Sequence, residues 1–328
     1  MINKVLLFFL KFMPFLRQYY SGVATIFMLH RVDNIDKNKI FANENMKISP
    51  EFLEKFILEA KQYGYEFISL DQLQQLLSGN KNTHKKLVIT MDDGYVDNFT
   101  QAYPIFKKHQ IPFTVYITTS FPEQNAILWW YVLEDLLHAH PHIDLSDGSH
   151  YTYSNADEKN KAFLKIRKKI LNLDQTDLLN NLNQLFSKYK VDWKGKTQEL
   201  AMSWEQIKLL SQSSLTTIGG HTKNHYAFNK ISHELIQQEI NDANTLIHQH
   251  TGKIVEHFAF PFGSIHEVEH QQIEWVKTFD FKTVVTTRRG NIFKQHKDYL
   301  YCLPRVMLTE NFERQNIPLI KRKPFVTI

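Results

Sequence analysis

Short apolar runs rich in β-branched residues alternate with stretches of helical periodicity along most of the chain. The runs at 24–29, 67–70, 87–91, 113–118, 216–220, 258–260 and 282–286 predict strands. Between them, Phe52, Phe56, Ile57 and Ala60 recur at helical spacing. Helices are also predicted from Asp71, over 97–109, over 203–210 behind a serine cap, over 232–250 and over 270–278. Repeated βα alternation of this kind predicts a parallel sheet or barrel whose working end lies at the strand C-termini.

Two regions depart from the rhythm. Residues 129–200 are polar, helical over 162–171 and 178–189, and show no clear strand, so they read as an inserted helical subdomain or lid. At the start of the chain the uninterrupted apolar run over 5–10 is too short for a membrane span or a signal core. Lys4, Lys11 and Gln18 recur every seven residues and would form a polar stripe beside Leu6, Phe9, Phe12 and Met13 on a helix. That pattern predicts an amphipathic segment over 1–20 lying on a membrane surface, with lysines toward anionic headgroups. An N-terminal helix packed on the rest of the protein is the alternative, and Pro14 opposes a long continuous helix in either case. Residues 21–328 are then one domain carrying the insertion.

Composition narrows the class. The net charge of +5 in 328 residues comes without a basic block, so no nucleic-acid footprint is expected. The lone Cys302 excludes a disulfide framework and fits a reducing compartment. Sixteen histidines favour metal or acid–base chemistry but also multiply accidental histidine motifs.

The chemistry begins at 87–94, where Leu-Val-Ile-Thr-Met runs into Asp92, Asp93 and Gly94. Adjacent carboxylates at the mouth of a buried strand repel each other, and a metal ion relieves this by binding one and leaving the other beside metal-bound water. An ordinary turn or helix cap explains the same three residues. Histidine pairs at i,i+4 occur at His138/His142, His221/His225 and His266/His270, where random placement would give about one. The first pair flanks Pro141 and reads as a loop. The third, with Glu267, matches the H-E-x-x-H pattern of zinc peptidases, although its weakly apolar flanks suit a solvated first helical turn better. The second follows a strand ending in Gly219-Gly220, which would let the backbone turn and aim both imidazoles at one ion. Asp93 is the natural third ligand and Asp92 is left free to take a proton.

In order, these motifs resemble those of the polysaccharide deacetylases, the fourth family of carbohydrate esterases. Thr90-Met91-Asp92-Asp93-Gly94 is similar to that family's Thr-Phe-Asp-Asp-Gly, His221 to His225 matches His-Ser/Thr-x-x-His, and Pro261-Phe262 matches the end of the third motif. The resemblance covers roughly 24–308. It implies a distorted (β/α) barrel of seven or eight strands and a divalent metal, typically zinc, on Asp93, His221 and His225. It also implies Asp92 as general base, the Tyr95 N–H as a donor to the oxyanion, and Phe262 against the substrate.

The chain departs from the family pattern in informative ways. Where the third motif usually carries arginine, Ala259 stands here, and no C-terminal Leu-x-His supplies the acid. Some relatives bring that histidine on their first strand, which makes His30, after Phe27-Met28-Leu29, the candidate general acid. Arg305 in Leu303-Pro304-Arg305 is the candidate replacement for the missing arginine, pairing with Asp92 to keep it ionised. Trp129, Trp130 and Tyr131 suit either a sugar platform or the core of the insertion. The expected activity is removal of an acetyl group from an amino sugar of a bacterial surface glycan (lipopolysaccharide or lipooligosaccharide core, capsule) or its lipid-linked precursor. It is expected at the cytoplasmic face of the inner membrane, which residues 1–20 would contact. A non-catalytic glycan-binding barrel and a zinc peptidase using His266, Glu267 and His270 are the rival readings.

Overall fold

The computed structural model describes residues 22–79 and 84–313. The amphipathic segment expected over 1–20 lies outside them. Seven parallel strands form the frame: β1 (Ala24–Leu29), β2 (Lys86–Met91), β3 (Phe113–Ile117), β4 (Thr216–Gly220), β5 (His257–Ala259), β6 (Thr283–Arg289) and β7 (Leu303–Met307). Each pairs with the next in sequence, and β1 closes the circle. It bonds to β2 in register from Ala24↔Lys86 to Leu29↔Met91, and to β7 at Phe27↔Val306 and Met28↔Met307. The result is the distorted (β/α) barrel, with seven strands. Because barrel strands are covered on both faces, they read in sequence as apolar runs rather than alternations.

The run predicted over 67–70 is not a barrel strand. Glu66–Phe67 adds only two residues to the lower part of β2, and Ser69 then caps a helix over Leu70–Ser78 through a reciprocal capping box with Gln72. The barrel instead takes its seventh strand from β7, where Pro304 and Arg305 break the run of apolar residues and Arg305 stands at the strand's centre.

Strand periodicity sorts the side chains. Phe27, Leu29, Leu87, Ile89, Met91, Val115, Ile117, Ile218 and Phe258 face outward into the main core, where Leu53, Phe56 and Ile57 of helix α1 (Pro50–Gln62) meet them. Ile26, Val88, Tyr116, Ala259, Val285 and Leu303 form a separate inner cluster. His30, Asp92 and Arg305 follow Ile26, Val88 and Leu303 at even steps along those inner rows. The period of two alone carries them to the C-terminal mouth.

Between β3 and β4 the chain builds the inserted unit. Helices α2 (Trp129–Ala139) and α3 (Ala156–Ile170) and a shorter helix over Leu178–Leu185 surround their own core of Leu133, Leu137, Phe163, Ile166, Leu182 and Trp193, while the helix over Gly195–Leu200 packs Leu200 with Tyr95 and Phe121. The expectation of no strand here is corrected. His142–Asp144 and His150–Thr152 pair antiparallel, and the His138/His142 loop is the end of α2 followed by this strand. The hairpin was illegible because only Ile143 of its first strand is fully buried, leaving no apolar alternation to read.

Candidate active site

The inner row of β2 ends in Asp92, which is almost fully buried. Arg305 from β7 meets it with two parallel bonds, Nη1 to Oδ1 and Nη2 to Oδ2, each 2.7 Å. The guanidinium is itself anchored, donating to Thr90 Oγ1 at 3.0 Å and to the Thr286 carbonyl at 2.9 Å, with the Tyr116 ring 5.7 Å away. Burial pushes the Asp92 carboxyl up, but the charge and bonds of Arg305 outweigh it and hold the group below its ordinary value. The pairing of Arg305 with Asp92 expected from the sequence is thus present across the barrel.

Asp93 leaves the strand at φ 77°, followed by Gly94 at φ 95°. This pair of left-handed residues turns the second carboxylate away from the first. Its Oδ1 lies 3.3 Å from His221 Nε2 and 3.4 Å from His225 Nε2, and has no hydrogen-bond partner. Those separations are long for a charge-assisted hydrogen bond. They match the edge of a tetrahedron with metal–ligand bonds of about 2.0–2.1 Å, roughly 3.3 Å. The three ligand atoms lie within 4.8 Å of one another.

The imidazoles are prepared for this task. His221 Nδ1 lies 2.7 Å from the Ala259 carbonyl, which can only accept, so Nδ1 carries a proton and Nε2 is the ring nitrogen turned toward Asp93. Burial pushes the His225 imidazole down to about 4, leaving it neutral at ordinary pH. The residues present therefore fit a divalent ion with three protein ligands and open positions.

Sequence reasoning gave the glycines the wrong task. Gly219 and Gly220 lie within β4, and the turn is made instead by Thr222 and His225 at φ 66° and 59°. Gly219 is required because a Cβ there would lie 2.4 Å from the Tyr116 ring, the same ring that flanks Arg305. A residue that sequence reasoning missed holds the loop. Glu239 of helix α4 (His233–Thr251) accepts the N–H groups of Lys223 and Asn224 at 3.1 and 2.7 Å. Its signal was a carboxylate inside an apolar helical stripe, beside Ile236, Ile240 and Ala243.

His30, at the end of β1, lines the same mouth, with Nδ1 buried and without a hydrogen-bond partner. Burial lowers its pKa, while the Asp93 and Asp92 carboxylates pull it back up. Next to it, Arg31 was also missed. Its guanidinium bonds Asp97 at 2.6 Å and Tyr131 Oη at 3.3 Å, and lies 5.3 and 5.4 Å from the rings of Tyr95 and Tyr131. This clamp joins the first turn of α2 to the loop that carries Tyr95. Phe262, at φ 59°, sets its ring 4.8 Å from His225.

A cavity of about 430 Å³ opens over these residues, and a neighbouring one of about 610 Å³ shares Trp129, Trp130, His225 and Phe262 with it. Both tryptophans line the two cavities and pack in or against the insertion's core, Trp129 buried within it and Trp130 half-buried at its edge. The peptidase reading fails on geometry. The helix begins only at His270, capped by Glu269, so His266 and His270 do not share a helix face. Glu267 is engaged by Ser264, and His270 by Glu274 at 3.5 Å.

The polysaccharide deacetylase family profile matches residues 79–276. The chain belongs to this family. Its members are hydrolases that cleave amide bonds. A putative polysaccharide deacetylase of Bacillus subtilis strain 168, YxkH, is 27% identical over 81 residues, which is 24% of this chain and 29% of that protein. Among solved structures, the Streptococcus pyogenes deacetylase PplD in complex with acetate superposes with a TM-score of 0.60 at 18% identity, covering 90% of this chain and 96% of that one. IcaB from Ammonifex degensii gives 0.56 at 18% identity, covering 90% and 94%. A de-N-acetylase from Aggregatibacter actinomycetemcomitans gives 0.56 at 15%, covering 90% and 98%. At these identities the superpositions show a shared fold.

Proposed function

We propose that the protein is a metal-dependent N-deacetylase of an N-acetylated amino sugar in a bacterial surface glycan or its lipid-linked precursor. The observation that carries this is the division of two adjacent aspartates. Asp92 is held by Arg305, while Asp93 is turned toward His221 and His225.

When bound at Asp93, His221 and His225, a divalent ion, most simply zinc, supplies Lewis acidity and brings the pKa of a water toward about 7. Asp92, kept ionised by Arg305, is placed to accept a proton from the water that adds to the amide carbon. The Tyr95 N–H, following the left-handed turn at Asp93 and Gly94, donates to the carbonyl oxygen as it gains charge. His30 delivers a proton to the departing amine. Burial holds its pKa below the ordinary value against the pull of the Asp93 and Asp92 carboxylates, and negative charge growing at the substrate oxygen would add to that upward pull, favouring the protonated form an acid requires.

Phe262 and Trp130 bound the substrate from opposite elements and supply apolar faces for a sugar ring. The lysine stripe at Lys4 and Lys11 supports a membrane-surface location, on the cytoplasmic side of the inner membrane, during glycan assembly. Zinc-loaded protein incubated with candidate core or lipid-linked oligosaccharides should remove the mass of one acetyl group and release acetate. Release unchanged in Asp92→Asn would overturn the assignment. Vesicle binding unchanged by deletion of residues 1–20 would overturn the location.

A further inference from the structure

Among the described residues, two cations line the 430 Å³ cavity, Arg31 and Arg167, and only Arg31 has a carboxylate partner. Arg31 is matched by Asp97 and Asp33, Asp92 by Arg305, and Asp93 faces two imidazoles. Arg167, on the inserted helix α3, lines the same cavity beside Phe163 and Leu164. Among the described residues no carboxylate lies within 4.0 Å of its guanidinium, whereas α3 pairs another of its cations, Lys169, with Asp147 at 2.6 Å.

Arg167 is half-buried, and burial pushes its pKa below the ordinary value, with only the Glu267 carboxylate pulling the other way. A partly desolvated guanidinium without a counter-ion costs stability, and an anion arriving in the cavity relieves that cost. Its planar fork matches the two oxygens of a carboxylate or phosphate.

Resting on the deacetylase reading of the adjoining centre, we propose that Arg167 binds an oxyanion substituent, carboxylate or phosphate, carried by the glycan next to the amino sugar that is deacetylated. The insertion thus contributes charge selectivity to a barrel whose own charges are internally matched. A cavity of this size takes a sugar unit plus such a neighbour.

The test uses the full zinc-loaded chain and three probes: neutral chitotetraose, a hyaluronan tetrasaccharide bearing carboxylates, and N-acetylglucosamine 1-phosphate. Binding is measured by calorimetry, and acetate release separately. At least one acidic probe should bind about tenfold or more tighter than the neutral one, consistent with a charge-assisted pair. Arg167→Gln should erase that preference and Arg167→Lys should keep part of it, with melting temperatures showing that both variants fold. Carboxylate and phosphate probes tell the two sources apart. A preference that survives Arg167→Gln, or no preference at all, overturns the inference even if acetate is released from chitotetraose. Arg167-dependent binding of an acidic probe without acetate release from any probe upholds the inference and counts against the deacetylase reading.

Discussion

Arg305 and Asp92 stand 213 positions apart in sequence and meet through two 2.7 Å bonds inside the barrel. The pair does two jobs. It removes the repulsion that adjacent Asp92 and Asp93 would otherwise feel, and it fixes the orientation of the carboxylate proposed as base. Both depend on the guanidinium fork, which a point charge does not reproduce.

Arg305→Ala should therefore fail in two measurable ways. Stripping Asp92 of its partner leaves a buried carboxylate unpaired, a loss of about 3–5 kcal/mol in chemical denaturation. The carboxyl pKa rises once burial is unopposed, so the acid limb of the pH–rate profile moves to higher pH and activity at pH 7 falls by about 100-fold or more. Arg305→Lys should recover some stability but little activity. A profile whose acid limb stays in place would sever Arg305 from catalysis.

The separation of ligand and base predicts a second contrast. His221→Ala and Asp93→Asn should lose stoichiometric zinc in elemental analysis, whereas Asp92→Asn should retain it and lose about 100-fold or more of its acetate release. His266→Ala should retain both, since His266 is exposed and stands apart from the Asp93 cluster. Zinc lost from Asp92→Asn as completely as from His221→Ala would mean that the two aspartates share one role.

The legibility of these residues follows from their geometry in the chain. Asp92, Asp93, His221 and His225 sit within short local motifs, at strand ends that apolar runs announce. Arg305 and His30 could be nominated only as single residues at strand ends, and the inner rows of β1 and β7 are what bring them to the same mouth. Glu239 left only a carboxylate inside an apolar helical stripe as its signal, and Arg31 escaped because Asp97 and Tyr131, which hold it, come from remote segments. The glycine pair was seen but misjudged, since a close ring contact and a turn demand the same residue.

That contact gives a third prediction. Gly219→Ala places a methyl 2.4 Å from the Tyr116 ring and 2.9 Å from the His257 carbonyl. Neither can yield easily inside a closed barrel, so overpacking should cost about 1–3 kcal/mol, seen as a lower melting temperature. Because the displaced ring flanks Arg305, activity should fall further than the folded fraction explains. Tyr116→Leu combined with Gly219→Ala should restore part of the stability by making room. An alanine variant as stable as the parent would show that β4 moves to accommodate it.

His296 is almost fully buried, and its Nδ1 accepts the Phe293 N–H at 2.9 Å. Burial lowers its pKa from 6.5 to about 4, only partly opposed by its contact with the Phe293 backbone. Above pH 6.5 the imidazole is neutral whether the chain is folded or not, and its burial carries no protonation penalty. Between 6.5 and 4 the unfolded chain takes up a proton that the folded protein refuses, so stability falls as pH falls. Below about 4 both states are protonated and the loss levels off, having reached at most about 3 kcal/mol. Protonation would also turn Nδ1 from acceptor to donor, setting it against the Phe293 N–H. Urea denaturation at about pH 7.5 and about pH 4.5 should thus show a smaller acid loss for His296→Gln than for the parent, whatever the variant's stability at the higher pH. Equal losses would place the acid sensitivity elsewhere, in the carboxylate and imidazole groups of the barrel mouth.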